Sequence, residues 1–183
     1  MKRVQFVLIV LFTALFTTTF GFYSGDQPDF VKEFIGQMDY VQGKILQLEE
    51  AMPQDKFDWR PEKGVRSVGE VNLHMALSNY LFIKTSGGTV PSDINLDFSK
   101  WDYQTKDKKE IAAIIKRSFD DAKKYASSLT ESDLNKEVEF FGNKMTERNF
   151  MVTMLSHLHE HLGQSIAYAR MNGVTPPWSK KGE

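Results

Sequence analysis

Apolar residues recur at helical spacing in four separate stretches of this chain, and that periodicity restricts the fold to packed helices. In the first stretch Phe30, Phe34, Met38, Val41, Ile45 and Leu48 follow one another at steps of four or three. Such steps place side chains on one face of a helix and on alternating faces of a strand. Pro28 suits the first turn, and Pro53 stops the run. Gly36 and Gly43 interrupt it. Each weakens a helix by about 1 kcal/mol relative to alanine, so each is expected to mark the close approach of a neighbouring helix.

The second stretch opens at Ser67-Val68-Gly69-Glu70, a serine followed three residues on by glutamate, which is the pattern of a capping box. Val68, Val71, Met75, Leu77, Leu81 and Phe82 carry it towards Gly87-Gly88. The third begins near Asp107, and Ile111, Ile114, Ile115, Phe119, Ala122, Tyr125, Ala126 and Leu129 form its apolar face. The fourth runs from Thr146 to a stop at Asn172-Gly173, with Pro176-Pro177 beyond. Between the third and fourth, Val138–Phe141 and Lys144–Thr146 flank Gly142-Asn143, which predicts a short hairpin.

The connections differ in length, and the longest covers residues 86–106. Fully extended it reaches roughly 70 Å, against about 28 Å for the second helix. It can therefore return along the bundle and start helix three parallel to helix two. The expected fold is all-α, a four-helix bundle over residues 28–179 with up-down-down-up topology and a long helix 2–helix 3 crossover. A plain up-and-down meander is the alternative.

The first residues read differently. Lys2 and Arg3 precede an apolar run from Phe6 to Phe16, then Thr17–Thr19, Phe20 and Gly21, with no acidic residue before Asp26. A positive start, an apolar middle and small residues near a cut describe a secretory signal, here residues 1–21. The alternative is an uncleaved anchor, but the stretch Phe6–Phe22 is short for a membrane span. The expected location is secreted or periplasmic, with no membrane contact after signal removal. The mature formal charge shifts from −1 to −3, which leaves no basic excess for nucleic acid. The chain has no cysteine, so disulfides, thiolate metal sites and a cysteine nucleophile are excluded.

The chain contains four histidines: His74, His157, His159 and His161. His157 and His161 stand about 40° apart on a helix, close enough to reach one divalent ion. His159 points roughly 160–200° away from them. His74 lies mid-helix among apolar residues and is expected to face inward or into a groove. It would supply a third nitrogen from a neighbouring helix, leaving coordination positions open as in catalytic zinc sites. Other readings are available. A buried histidine is commonly a hydrogen-bonded core residue, and paired histidines on a helix are commonly exposed. Glu160, beside the pair, reads as solvated rather than as a base. The zincin motif is absent, because no histidine stands three residues after Glu160. Trp59 and Trp178 lie outside the helices and read as packing residues.

These residues, taken together, resemble the DinB/YfiT-like superfamily of small four-helix metalloproteins. Trp59-Arg60-Pro61 before Ser67-Val68-Gly69-Glu70 is similar to that family's lead into helix two. His74 stands where its first metal histidine stands. His157-x3-His161 with Gly163-Gln164 resembles its terminal signature, and Tyr168–Trp178 its exit from helix four. Leu162 departs from the pattern, where members often carry arginine. The resemblance implies an up-down-down-up bundle, often dimeric, holding a divalent ion on His74, His157 and His161. Characterised relatives include metal-dependent transferases that use a low-molecular-weight thiol. Such thiols are mainly cytosolic, so an exported member points equally to hydrolysis by a metal-activated water. The expected ion is zinc or nickel, although neutral imidazoles also suit copper and iron. The substrate is a small molecule of unread identity, in a pocket expected to draw on all four helices. The alternatives are a non-catalytic bundle that binds a metal or small ligand in the cell envelope, and a plain bundle with hydrogen-bonded histidines.

Overall fold

The computed structural model describes residues 27–179; the export signal read in residues 1–21 lies outside them. Helix α1 (Asp29–Ala51) buries Val31, Phe34, Met38, Val41, Ile45 and Leu48. Pro28 precedes the helix instead of occupying its first turn, and its carbonyl accepts from the Val31 and Lys32 amides. Phe30 stays at the edge of the core, with the Arg148 guanidinium 4.6 Å from its ring centroid. Helix α2 (Val68–Thr85) begins with the expected capping box: Ser67 Oγ accepts from the Glu70 amide, and the Glu70 carboxylate accepts from the Ser67 amide. It is buried almost all round, Leu73 and Ala76 included, which is why no single stripe describes it.

Helix α3 (Lys108–Ala126) is capped by Asp107, whose carboxylate accepts from the Lys109 and Glu110 amides. A one-turn helix α4 (Glu131–Leu134) follows, held by a Thr130/Asp133 capping box that was present in the sequence but too short to show periodicity. The hairpin pairs β1 (Glu137–Phe140) with β2 (Asn143–Thr146). Its turn is Phe141-Gly142, at φ 48° and 78°, one residue earlier than Gly142-Asn143. The register follows from packing: Phe140 lies against Phe150, ring centroids 4.9 Å apart, so the chain reverses immediately after it. Helix α5 (Glu147–Met171) is capped by Thr146 and ends at Asn172, with Gly173 at φ 75°.

Contacts along the helices set their directions. Going down α2, Gly69 meets Ile111, Asn79 meets Ser118 and Tyr80 meets Asp121 in ascending order, so α2 and α3 are parallel. Phe30 meets Arg148 and Tyr40 meets His159, so α1 and α5 are parallel. Arg66 meets Tyr168 while Ser86 meets Glu147, so α2 and α5 are antiparallel. Gln54 meets Lys108 while Asp39 meets Lys123, which makes α1 and α3 antiparallel as well. The bundle is therefore up-down-down-up, and the meander is excluded. The connection from Ser86 to Asp107 returns along α2, where the Trp101 indole N–H donates to the Leu73 carbonyl at 2.7 Å.

The glycine expectation is corrected. A Cβ at Gly36 or Gly43 would meet nothing within 4 Å among the described residues. The close approaches are at Gly69, against Ile111 and the Phe57 carbonyl, and at Gly88, where a Cβ would lie 2.5 Å from the Tyr125 ring. Both sit at ends of the parallel α2–α3 pair, whose spacing they set.

Candidate metal centre

Antiparallel packing of α2 on α5 brings His74 opposite His157 and His161. The three ring centroids are 4.5–5.2 Å apart. One nitrogen from each ring lies within 4.8 Å of the others, and all three side chains are half-buried. The predicted trio therefore converges. His159 does not join it: its Nδ1 contacts the Leu155 carbonyl at 2.8 Å, and its ring stacks on Tyr40. Glu160 is exposed, in line with its solvated reading.

The surrounding hydrogen bonds orient the rings. His161 Nδ1 is 2.9 Å from Gln164 Oε1, and Gln164 Nε2 donates to the Tyr168 hydroxyl, which donates to the Arg66 carbonyl. Because Oε1 can only accept, the proton of His161 sits on Nδ1 and the lone pair on Nε2. Trp59 packs edge-on against Tyr168 and steadies this chain. Ser78 Oγ lies 2.9 Å from both His157 Nε2 and the His74 carbonyl. It has one proton. Given to the carbonyl, it leaves Oγ to accept from His157 Nε2 and puts the His157 lone pair on Nδ1; turned towards His157, it reverses that choice.

His74 Nδ1 is buried and has no hydrogen-bond partner among the described residues. Burial first, then the positive Arg66 and the two other histidines, hold the His74 imidazole down at about 3. Burial and His161 also lower His157, with Glu160 opposing them. Neutral imidazoles with an unpartnered nitrogen form the donor set that a borderline transition metal takes. The residues present fit such an ion.

Two openings flank the trio. A pocket of about 380 Å³ exposes His74, His157 and Ser78, with Leu77, Leu81 and Met154 in its wall. It is lined by α2, α5, the long connection and the hairpin, and not by all four helices as expected, because α1 and α3 lie behind α2 and α5. A second, more open cleft of about 510 Å³ reaches His161 and Gln164 past Arg60 and Arg66. Arg66 and Asp102 border both openings, with Arg66 Nε donating to Asp102 Oδ2 at 2.7 Å. Ser78 is absent from the sequence reading, and Tyr168 enters it only as part of the helix-four exit, although the spacing of both signals a place beside the histidines. Ser78 stands four after His74, and Tyr168 seven after His161, on the same helical faces. Phe98 and Asp102, on the long connection, carried no such signal.

The comparisons agree with this architecture. A DinB-like protein from Bacillus cereus superposes with a TM-score of 0.66 at 21% identity, covering 80% of this chain and 95% of the other. YfiT from Bacillus subtilis, described as a probable metal-dependent hydrolase with an unusual four-helix bundle topology, superposes at 0.64 with 19% identity over 79% of this chain and 89% of its own. None of the curated proteins is detectably similar in sequence. The profile of the DinB superfamily matches residues 37–165, more than half of the chain, and the chain belongs to that superfamily.

Proposed function

We propose that this protein is a divalent-metal-dependent enzyme of hydrolase type that acts on a small molecule outside the cytoplasm. One observation carries the reading: three imidazoles from two helices converge beside a pocket, one with a buried nitrogen that has no partner among the described residues. His74, His157 and His161 would hold the ion, and the three-nitrogen set suits zinc or nickel. Bound there, a divalent ion acidifies a water and polarises a carbonyl. The chain's own groups supply the rest. Gln164 holds the proton on His161 Nδ1, and Ser78, by accepting from His157 Nε2 while donating to the His74 carbonyl, leaves His157 Nδ1 free. Arg66, pinned by Asp102, offers further N–H donors to negative charge on a substrate. The likeness to YfiT supports hydrolysis over thiol transfer. Export rests on the charge and apolar layout of residues 2–21, and fractionation of cells producing the full-length chain tests it.

Elemental analysis of the purified chain against His157→Ala tests the site. Near-stoichiometric transition metal in the first and a large loss in the second are expected; equal contents would refute it. A turnover screen with esters and amides, with and without chelator, then tests catalysis. Tight metal without turnover would favour the non-catalytic binding protein.

A further inference from the structure

Phe141, at the hairpin tip, is the one non-glycine residue at positive φ among the described residues, and it is 82% exposed. A bulky side chain is strained in the left-handed region, where asparagine or glycine would sit without strain. The Phe141 ring touches Phe140, centroids 4.4 Å apart, but it is Phe140 that packs on Phe150, and the Phe141 side chain stays outside the core. Phe141 instead borders the pocket of about 380 Å³ beside the histidines, as does Phe98 from the long connection, itself 57% exposed.

The pocket is polarised along its length. His74, Ser78 and His157 lie towards one end; Leu81 is two helical turns beyond His74, Met154 is just under one turn from His157, and Phe140 and the lone polar Thr153 complete that far wall. From His74 to Leu81 the distance along α2 is about 10 Å. A concave, mostly apolar site of this size with polar groups at one end is what a small ligand with a hydrocarbon tail requires.

We infer that the pocket takes the hydrocarbon tail of a medium-length acyl compound whose electronegative head lies at the histidines, with Phe98 and Phe141 covering the tail. The placement of the head rests on the metal-centre reading; the tail site does not.

Calorimetric titration of the zinc-loaded chain with straight-chain alkanoates from butanoate to dodecanoate tests this. Affinity rises about fourfold per added methylene and levels off once the tail exceeds about 10 Å. Phe141→Asn raises the melting temperature while flattening the dependence on chain length, and Phe98→Ala flattens it without that gain; zinc content is unchanged in both. Chain-length-independent binding, or an unaltered slope in both variants, overturns the inference. So does alkanoate binding that weakens as protein concentration rises, which would mean that a second copy fills the pocket. If the chain retains no zinc, the metal-centre reading fails on its own. The same series of straight-chain alcohols on metal-free protein still shows the slope if the tail site is real.

Discussion

Glu49 is 3% exposed, and among the described residues neither of its buried carboxyl oxygens has a hydrogen-bond partner; Asn72 Oδ1 is in the same condition. Burial pushes the carboxyl up to about 8. The Lys108 ammonium and the Asn72 amide favour the ionised form, but neither overcomes the loss of water. Between 4.5, its ordinary value, and about 8 the native state keeps a proton that the unfolded chain releases. Stability is therefore lost as pH rises through that window. At about 1.36 kcal/mol per pH unit, ionisation favours the unfolded chain by about 3 kcal/mol at pH 7. Glu49→Gln keeps the shape and cannot ionise. It should raise the unfolding free energy by about 2–3 kcal/mol at pH 7 and by little below the ordinary carboxyl range. Urea unfolding of wild type and variant in chelator, at several pH values between 4 and 8, reads the difference directly. A gain that does not grow with pH, or a variant less stable than wild type at pH 7, would refute the assignment of Glu49 as a buried neutral acid.

Other expectations follow from the same contacts. Gln164→Leu removes the acceptor that fixes the His161 proton and should weaken metal binding roughly 10–100-fold, measured by chelator competition, with little change in fold by circular dichroism. In metal-free protein, His74 is held at about 3 against its ordinary 6.5. The native state then binds fewer protons than the unfolded chain in that window, and stability should fall as pH drops through it. His74→Gln should flatten the fall in denaturation curves. Gly88→Ala places a Cβ 2.5 Å from the Tyr125 ring; it should cost about 1–3 kcal/mol by thermal unfolding, while Gly36→Ala, facing open space, should stabilise.

The helices were legible because their signals are local. The Ser67/Glu70 box, the Asp107 cap and the Asn172-Gly173 stop act within a turn or two of chain, and each appears where those residues predict. The hairpin turn was misplaced by one residue because its register depends on Phe140 meeting Phe150, a contact that no local pattern carries. Gly36 and Gly43 misled for the same reason. A helical glycine marks a close approach only if a neighbour lies on that face, and here the neighbours crowd Gly69 and Gly88. In the site, the histidine trio was readable because two of its members share one helical face. The walls of the pocket were not, because one comes from the non-periodic long connection and another from the hairpin tip, whose register no local pattern carries.

The long connection links topology to chemistry. Because it travels back along α2, α3 can start beside the beginning of α2 and run parallel to it, with Gly69 against Ile111. That places α2 and α5 as antiparallel neighbours, the arrangement in which His74 meets His157 and His161. The same returning segment then anchors at Trp101 to the Leu73 carbonyl and sets Asp102 against Arg66, and with Phe98 it walls the side of the histidine pocket. A meander with a short α2–α3 link would still allow two helices to share histidines. It would leave that wall missing and the trio open to water, where imidazoles hydrate and charge instead of staying neutral. Shortening residues 89–99 to a minimal linker should therefore raise the pKa of His74 towards its ordinary value, as read by histidine NMR titration in metal-free protein. An unmoved His74 in a still-folded variant would show that the helices alone keep it dry.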